Sequence, residues 1–208
     1  MAQNDKLKDK LITYLQDAAA MEHEIADILQ QQVGDAKQWP EIQQRIQQHL
    51  DATYTHHQRM VDRLKAYNES PSNIKSAVAA MMGNLVGMTA GAKTDALAKE
   101  ARDDYAIEHL EIAAYELLIT TAAAYGDNAT VQACELNLRD EVDMAHWLER
   151  SLPRTAILSY QQDGIQIPQG AAQTAEQSAL QAVQRSRSAI GGMYQQGQPG
   201  EMPAQPAM

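Results

Sequence analysis

Residues 106–127 read AIEHLEIAAYELLITTAAAYGD. From Asp95 to Tyr125, the residues Leu97, Ala101, Tyr105, Glu108, Ile112, Tyr115, Ile119 and Ala122 recur three or four positions apart. That spacing predicts an amphipathic helix with one apolar stripe. Gly126-Asp127-Asn128 then supplies a stop and a turn. Glu108 falls in the middle of the stripe. An isolated charge cannot be kept in an apolar core; it must be neutralised, paired or bound to a metal.

The same pattern extends outward on both sides. A first helix is predicted from Asn4 to Val33, on Leu7, Leu11, Leu15, Ala18, Glu22, Ile25 and Leu29, with Gly34 at its end. Pro40 suits the first turn of a second helix over Glu41–Tyr67. Its stripe is Ile42, Ile46, Leu50, Thr53, His57, Met60 and Leu64, flanked by His49 and His56. A further helix is expected from Ala129 to Leu152, on Val131, Cys134, Leu138, Glu141, Ala145 and Leu148, ended by Pro153. Asn68 to Thr94 is too long for a hairpin turn and reads as a crossover containing a short helix broken at Gly83 and Gly87. The expected fold class is all-α: a four-helix bundle with a long crossover between helices 2 and 3. Residues 1–160 form the bundle, 161–190 are Gln/Ala-rich with a fifth helix over Ala171–Ile190, and 191–208 read as a disordered tail.

Composition narrows the function. The 208-residue chain carries a formal net charge of −10 and no basic run, which argues against a nucleic-acid partner. Cys134 is the single cysteine, so an internal disulfide framework and a multi-thiolate zinc site are excluded. On the helix stripe it reads as a buried, inert thiol. No stretch approaches the roughly 20 apolar residues of a membrane span. The N-terminus, MAQNDKLKDKLITYL, lacks the apolar core of a signal peptide. A soluble cytoplasmic protein is expected. No phosphate-binding loop, nucleophile elbow or zinc-protease motif is present.

Dimetal bundles take one Glu from each of two helices and a Glu-x-x-His from each of the other two. Glu22 is the single-Glu candidate on helix 1. Glu108 and Glu111 lie three apart on helix 3. Glu141 lies on helix 4, with Met144 where a His is expected. Helix 2 offers His56, but Thr53 and Ala52 precede it where a carboxylate would stand. Asp51 is turned about 100° away. His49 is one heptad before His56. The candidate ligands are therefore Glu22, His56, Glu108, Glu111 and Glu141, with His49 and Asp51 as alternative ligands or outer partners. Such donors suit a dinuclear iron or manganese site better than copper(I). His109 and His146 fall off the inner stripes.

Four segments together resemble the YciE/YciF family of ferritin-like bacterial proteins: DAAAMEHEIADIL from Asp17, IQQHLDAT from Ile46, the helix 3 segment from Ala106, and LRDEVDMAHWLERSLP from Leu138. The match runs from about Asp5 to Tyr160, is most specific in the E-H-x-E-I-A-x-Y pattern, and is nearest in style to YciE. The resemblance implies a rubrerythrin-related bundle, a dimetal centre, a homodimer and a link to stress responses. It implies no established reaction and no known redox partner. Glu22, Glu108, Glu111 and Glu141 match acidic positions of the family. The family carries Glu where this chain has Ala52, and Gln where it has His56. Two functions compete on these grounds: a metal protein handling peroxide or oxygen, and a non-enzymatic scaffold that has lost a full centre.

Overall fold

The protein is described by a computed structural model over residues 2–71 and 95–196. Each bundle helix carries a seam of buried positions at steps of three or four. They are Leu11, Leu15, Ala18, Glu22, Ile25, Leu29 and Gln32 on α1 (Ala2–Asp35), and Ile46, His49, Thr53, His56, Met60 and Leu64 on α2 (Pro40–Ala66). On α3 (Ala96–Tyr125) they are Leu97, Ala101, Asp104, Glu108, Glu111, Tyr115, Leu118 and Ala122. On α4 (Asn128–Gln162) they are Thr130, Cys134, Asn137, Glu141, Met144 and Leu148. A repeat near 3.5 residues keeps one seam of each helix facing the bundle axis. The described residues are helical or turn, and the all-α bundle follows.

A short 3-10 turn over Ala36–Gln38 joins α1 to α2, and Pro40 opens α2, where its missing N–H costs nothing. Gly126 has φ +92, the left-handed turn that glycine adopts freely, and it ends α3. α1 packs mainly on α2 and α3 mainly on α4; the two hairpins then meet through α1 with α3 and α2 with α4. Gln32 meets Asp104 and Glu22 meets Tyr115, so α1 and α3 run antiparallel. α2 and α3 are therefore parallel, and the connection between them starts and finishes at opposite ends of a bundle about 40 Å long. The crossover expected from the sequence must span that length. Its predicted short helix lies outside the described residues.

One end of the bundle is tied by Asp127. It caps α4 through Thr130 N at 3.0 Å, takes two bonds from Arg63 at 3.1 and 3.0 Å, and accepts from the Tyr67 hydroxyl at 2.6 Å. Burial alone would raise its carboxyl, but the bonds from Thr130, Tyr67 and Arg63 hold it down at about 2.

Three expectations need correction. On α3 the buried seam takes Asp104, Glu111 and Leu118, while Tyr105, Ile112 and Ile119 stand beside it. Counting apolar residues had shifted the phase by one position. Second, Pro153 does not end α4, which continues to Gln162 with Thr155, Ile157 and Ser159 buried. Proline costs a helix one hydrogen bond and a clash, and packing of the segment beyond it outweighs that local preference. Third, α5 (Gln169–Gln196) extends six residues into the stretch expected to be disordered; residues 197–208 lie outside the described ones. α5 lies on α4, where Arg187 pairs with Glu149 at 2.7 Å. Among the described residues, no helix is long and apolar enough to cross a membrane.

Candidate metal centre

The 3-4 repeat stacks acidic and imidazole side chains at one level of the axis. Two groups of ligand atoms result, each with its atoms within 4.8 Å of one another: His49, Glu108, Glu111 and Glu141 in one, and Glu22, His56 and Glu141 in the other. Glu141 belongs to both. All six residues are at most 4 % exposed. His49 and His56 are a heptad apart on α2, so they face the seam one above the other, each toward its own group.

The distances show how the groups are joined. His49 Nε2 lies 3.1 Å from Glu108 Oε1 and 3.5 Å from Glu141 Oε2. His56 Nδ1 lies 2.7 Å from Glu141 Oε1 and 3.5 Å from Glu22 Oε2. These contacts are close, yet His49 Nε2, His56 Nδ1 and both Glu141 oxygens lack an aligned hydrogen bond. Glu22 Oε2, Glu108 Oε2 and both oxygens of Glu111 are likewise unbonded and buried. Buried polar atoms are nearly always bonded, so a cluster of unbonded carboxylate oxygens and imidazole nitrogens requires an explanation. A cation shared by them satisfies all of these atoms together, and the donor set fits a pair of divalent ions. The four glutamates, when ionised, carry the charge that two divalent cations balance.

Electrostatics agree with that fit. Burial pushes the carboxyls of Glu108 and Glu111 well above the ordinary range, with the Glu141 charge adding to the effect. Burial also raises Glu22, against the nearby imidazole of His56. His49 is lowered, chiefly by burial, and so presents a neutral imidazole, the form that binds metals. Burial would lower His56 too, but Glu141 and Glu22 outweigh it and raise the imidazole to about 10. Without a metal, His56 is therefore the cluster's own cation.

A ring of polar residues orients these groups. The other ring nitrogen of His56 meets Asp140 Oδ2 at 3.2 Å, and a carboxylate there fixes the ring's orientation. The Tyr115 hydroxyl donates to Glu22 Oε1 and accepts from Asn137 Nδ2 at 2.8 Å. Asn137 is held in turn by Arg59 Nη1 at 2.8 Å.

The sequence-predicted Glu22, His56, Glu108, Glu111 and Glu141 are thus brought together. His49, expected as an alternative or outer partner, points its Nε2 directly into the cluster. Asp51 is not part of it. It is exposed and accepts from Gln47 Nε2 at 2.9 Å on the outer face of α2, because its neighbours in sequence occupy the seam. Met144, in the place of a histidine, is fully buried and supplies packing.

A family described as a domain of unknown function, DUF892, matches residues 6–160. The chain belongs to the DUF892 family. Solved structures agree with that assignment. A Xanthomonas campestris pv. campestris protein is 28 % identical with a TM-score of 0.64, covering 76 % of this chain and 99 % of its own. YcfI from Rhodopseudomonas palustris is 25 % identical with a TM-score of 0.61, covering 68 % of this chain and 92 % of its own. The E. coli stress protein YciF shares the fold at 19 % identity and a TM-score of 0.62, covering 74 % of this chain and 97 % of its own. The resemblance read from the sequence holds.

Within this DUF892 chain, sequence reasoning missed Asp104 and Gln32. Both are 7 % exposed, and Gln32 Nε2 donates to Asp104 Oδ1 at 2.7 Å. The seam spacing from Leu97 through Ala101 to Glu108 would have located Asp104. Gln32 continues the α1 seam past Leu29.

Proposed function

We propose that the bundle would hold a dinuclear iron or manganese centre, with Glu141 common to its two ligand groups, and that the protein uses it in a stress response involving peroxide or oxygen. The observation that carries this reading is that one buried carboxylate belongs to two ligand groups at once. His49, Glu108 and Glu111 would complete one metal, and Glu22 and His56 the other. The metals, when bound, supply Lewis acidity and electrons for oxidant chemistry. The chain's own contribution is to hold the ligands. Tyr115 fixes Glu22, Asp140 fixes His56, and the surrounding Leu, Ile and Met side chains exclude water. His49 takes up the α2 ligand role left open by Ala52. Likeness in fold to the E. coli stress protein YciF supports the physiological setting. The reading extends to a cytoplasmic homodimer; light scattering on the purified protein tests the dimer, and cell fractionation the location.

A second reading has its own observation. The His56–Glu141 contact at 2.7 Å lets the cluster neutralise itself in part without any metal, as a scaffold that has lost its centre would. The deciding experiment measures metals per chain by elemental mass spectrometry before and after anaerobic Fe(II) or Mn(II) loading. About two per chain is expected. None after loading overturns the metal reading and leaves the scaffold.

A further inference from the structure

A narrow cleft opens at the end of the bundle where α1 passes into α2. Its walls are apolar and aromatic: Trp39, Ile42, Ile46, Leu97, Trp147 and Leu148. Its polar lining is oxygen-rich. Gln32 and Asp104 are buried, Glu100 is half-buried, and Asp35 is exposed at the rim. No lining residue is cationic. The space inside is about 20 Å³, enough for one water-sized particle and too small for an organic ligand.

Two observations point to an ion there. Gln32 binds Asp104 through its Nε2, which leaves its buried Oε1 without a hydrogen-bond partner. Asp104 and Glu100 also stand in a ladder with the metal centre. Glu100, Asp104, Glu108 and Glu111 follow one another at steps of four, four and three along α3. Asp104 therefore lies about 6 Å along the helix from Glu108. A carboxylate and an amide oxygen in an acidic cleft are the donors a hard divalent cation takes.

We propose that this cleft is a separate cation site, the port through which a divalent metal ion reaches the centre, with Asp104 and Gln32 Oε1 as its transit ligands. The role as a port rests on the dinuclear reading above; the binding of a cation in the cleft does not. An ion held at Asp104 is one helical turn of α3 from Glu108.

The chain's two tryptophans, Trp39 and Trp147, both line the cleft and give it a spectroscopic reporter. The experiment titrates the full chain with Tb(III), follows tryptophan-sensitised emission, and competes it with Mn(II). Saturable emission that Mn(II) displaces is expected. Asp104→Asn should lose it, and Gln32→Met should weaken it as an independent check should the first variant fold poorly. Glu111→Ala, which damages the centre, should keep it. In a second measurement, Asp104→Asn should still fill the two metal positions of the centre with Mn(II) but load them more slowly by roughly tenfold or more, the range in which charged clefts raise cation on-rates. Emission unchanged in both cleft variants, or lost only in Glu111→Ala, overturns the cation site. Wild-type loading rates in both cleft variants overturn the port. Asp104-dependent emission from a chain that binds no Mn(II) at its centre upholds the cation site while refuting the dinuclear centre and, with it, the port.

Discussion

Asp104→Asn should stabilise the metal-free protein at alkaline pH and leave it nearly unchanged in acid. Burial raises the Asp104 carboxyl from 3.8 to about 7, partly opposed by the hydrogen bond from Gln32. A carboxyl with a raised folded-state pKa binds its proton more tightly in the folded state. Its contribution is fully present below the unfolded value near 4 and is lost as pH rises to and through about 7. A shift of about 3 units corresponds to about 4 kcal/mol of stability lost between those limits. Asparagine keeps the oxygen that accepts from Gln32 and cannot ionise. In chelator at pH 8, the variant should therefore be more stable by up to about 4 kcal/mol. For a chain of this length that is a rise in Tm of roughly 8–16 °C. At pH 4.5 the two proteins should differ by less than about 1 kcal/mol. Urea and thermal unfolding followed by circular dichroism across that range would measure it. A variant less stable than wild type at pH 8, or a gain equal at both pH values, would refute the assignment of Asp104 as a buried carboxyl held against its charge.

Other expectations follow from the same geometry. Glu141→Ala should remove both metals, whereas Glu22→Ala should spare the His49 group; metal analysis of each purified variant distinguishes them. Glu111→Leu should leave the metal-free protein as stable as wild type or up to about 4 kcal/mol more stable, because it replaces a buried carboxyl without partners. It should also reduce the rise in Tm on adding Mn(II), which calorimetry with and without the metal would show. Asp127→Ala should cost about 2 kcal/mol in urea unfolding, since it removes a helix cap and the bonds from Arg63 and Tyr67. Cys134 is fully buried and its thiol is pushed up to about 12 by burial, so a disulfide reagent should label it only after unfolding.

The four bundle helices were legible because their periodicity is local. Leu11, Leu15 and Ala18, or Cys134 and Glu141, recur at helical spacing whatever they pack against, and Gly126 and Pro40 mark ends through their own backbone preferences. Glu22, Glu108 and Glu141 stood out because a carboxylate in an apolar stripe is costly, and Glu111 because it follows Glu108 by three; both signals can be recognised without coordinates. The phase of each seam was harder to read. Tyr105 and Ile112 look like better core residues than Asp104 and Glu111, and only the partner helices show which pair is buried. Pro153 misled for the same reason: its local preference is to stop a helix, but Thr155, Ile157 and Ser159 bury themselves beyond it. The sequence by itself determined the helical class, the bundle and most of the carboxylates. Tertiary structure alone decided that His49 faces the cluster while Asp51 faces solvent, that Glu141 joins two ligand groups, and that Gln32 meets Asp104. Helical periodicity is set by neighbours three and four residues away, whereas these contacts join residues many tens of positions apart and exist only once the helices have chosen their faces.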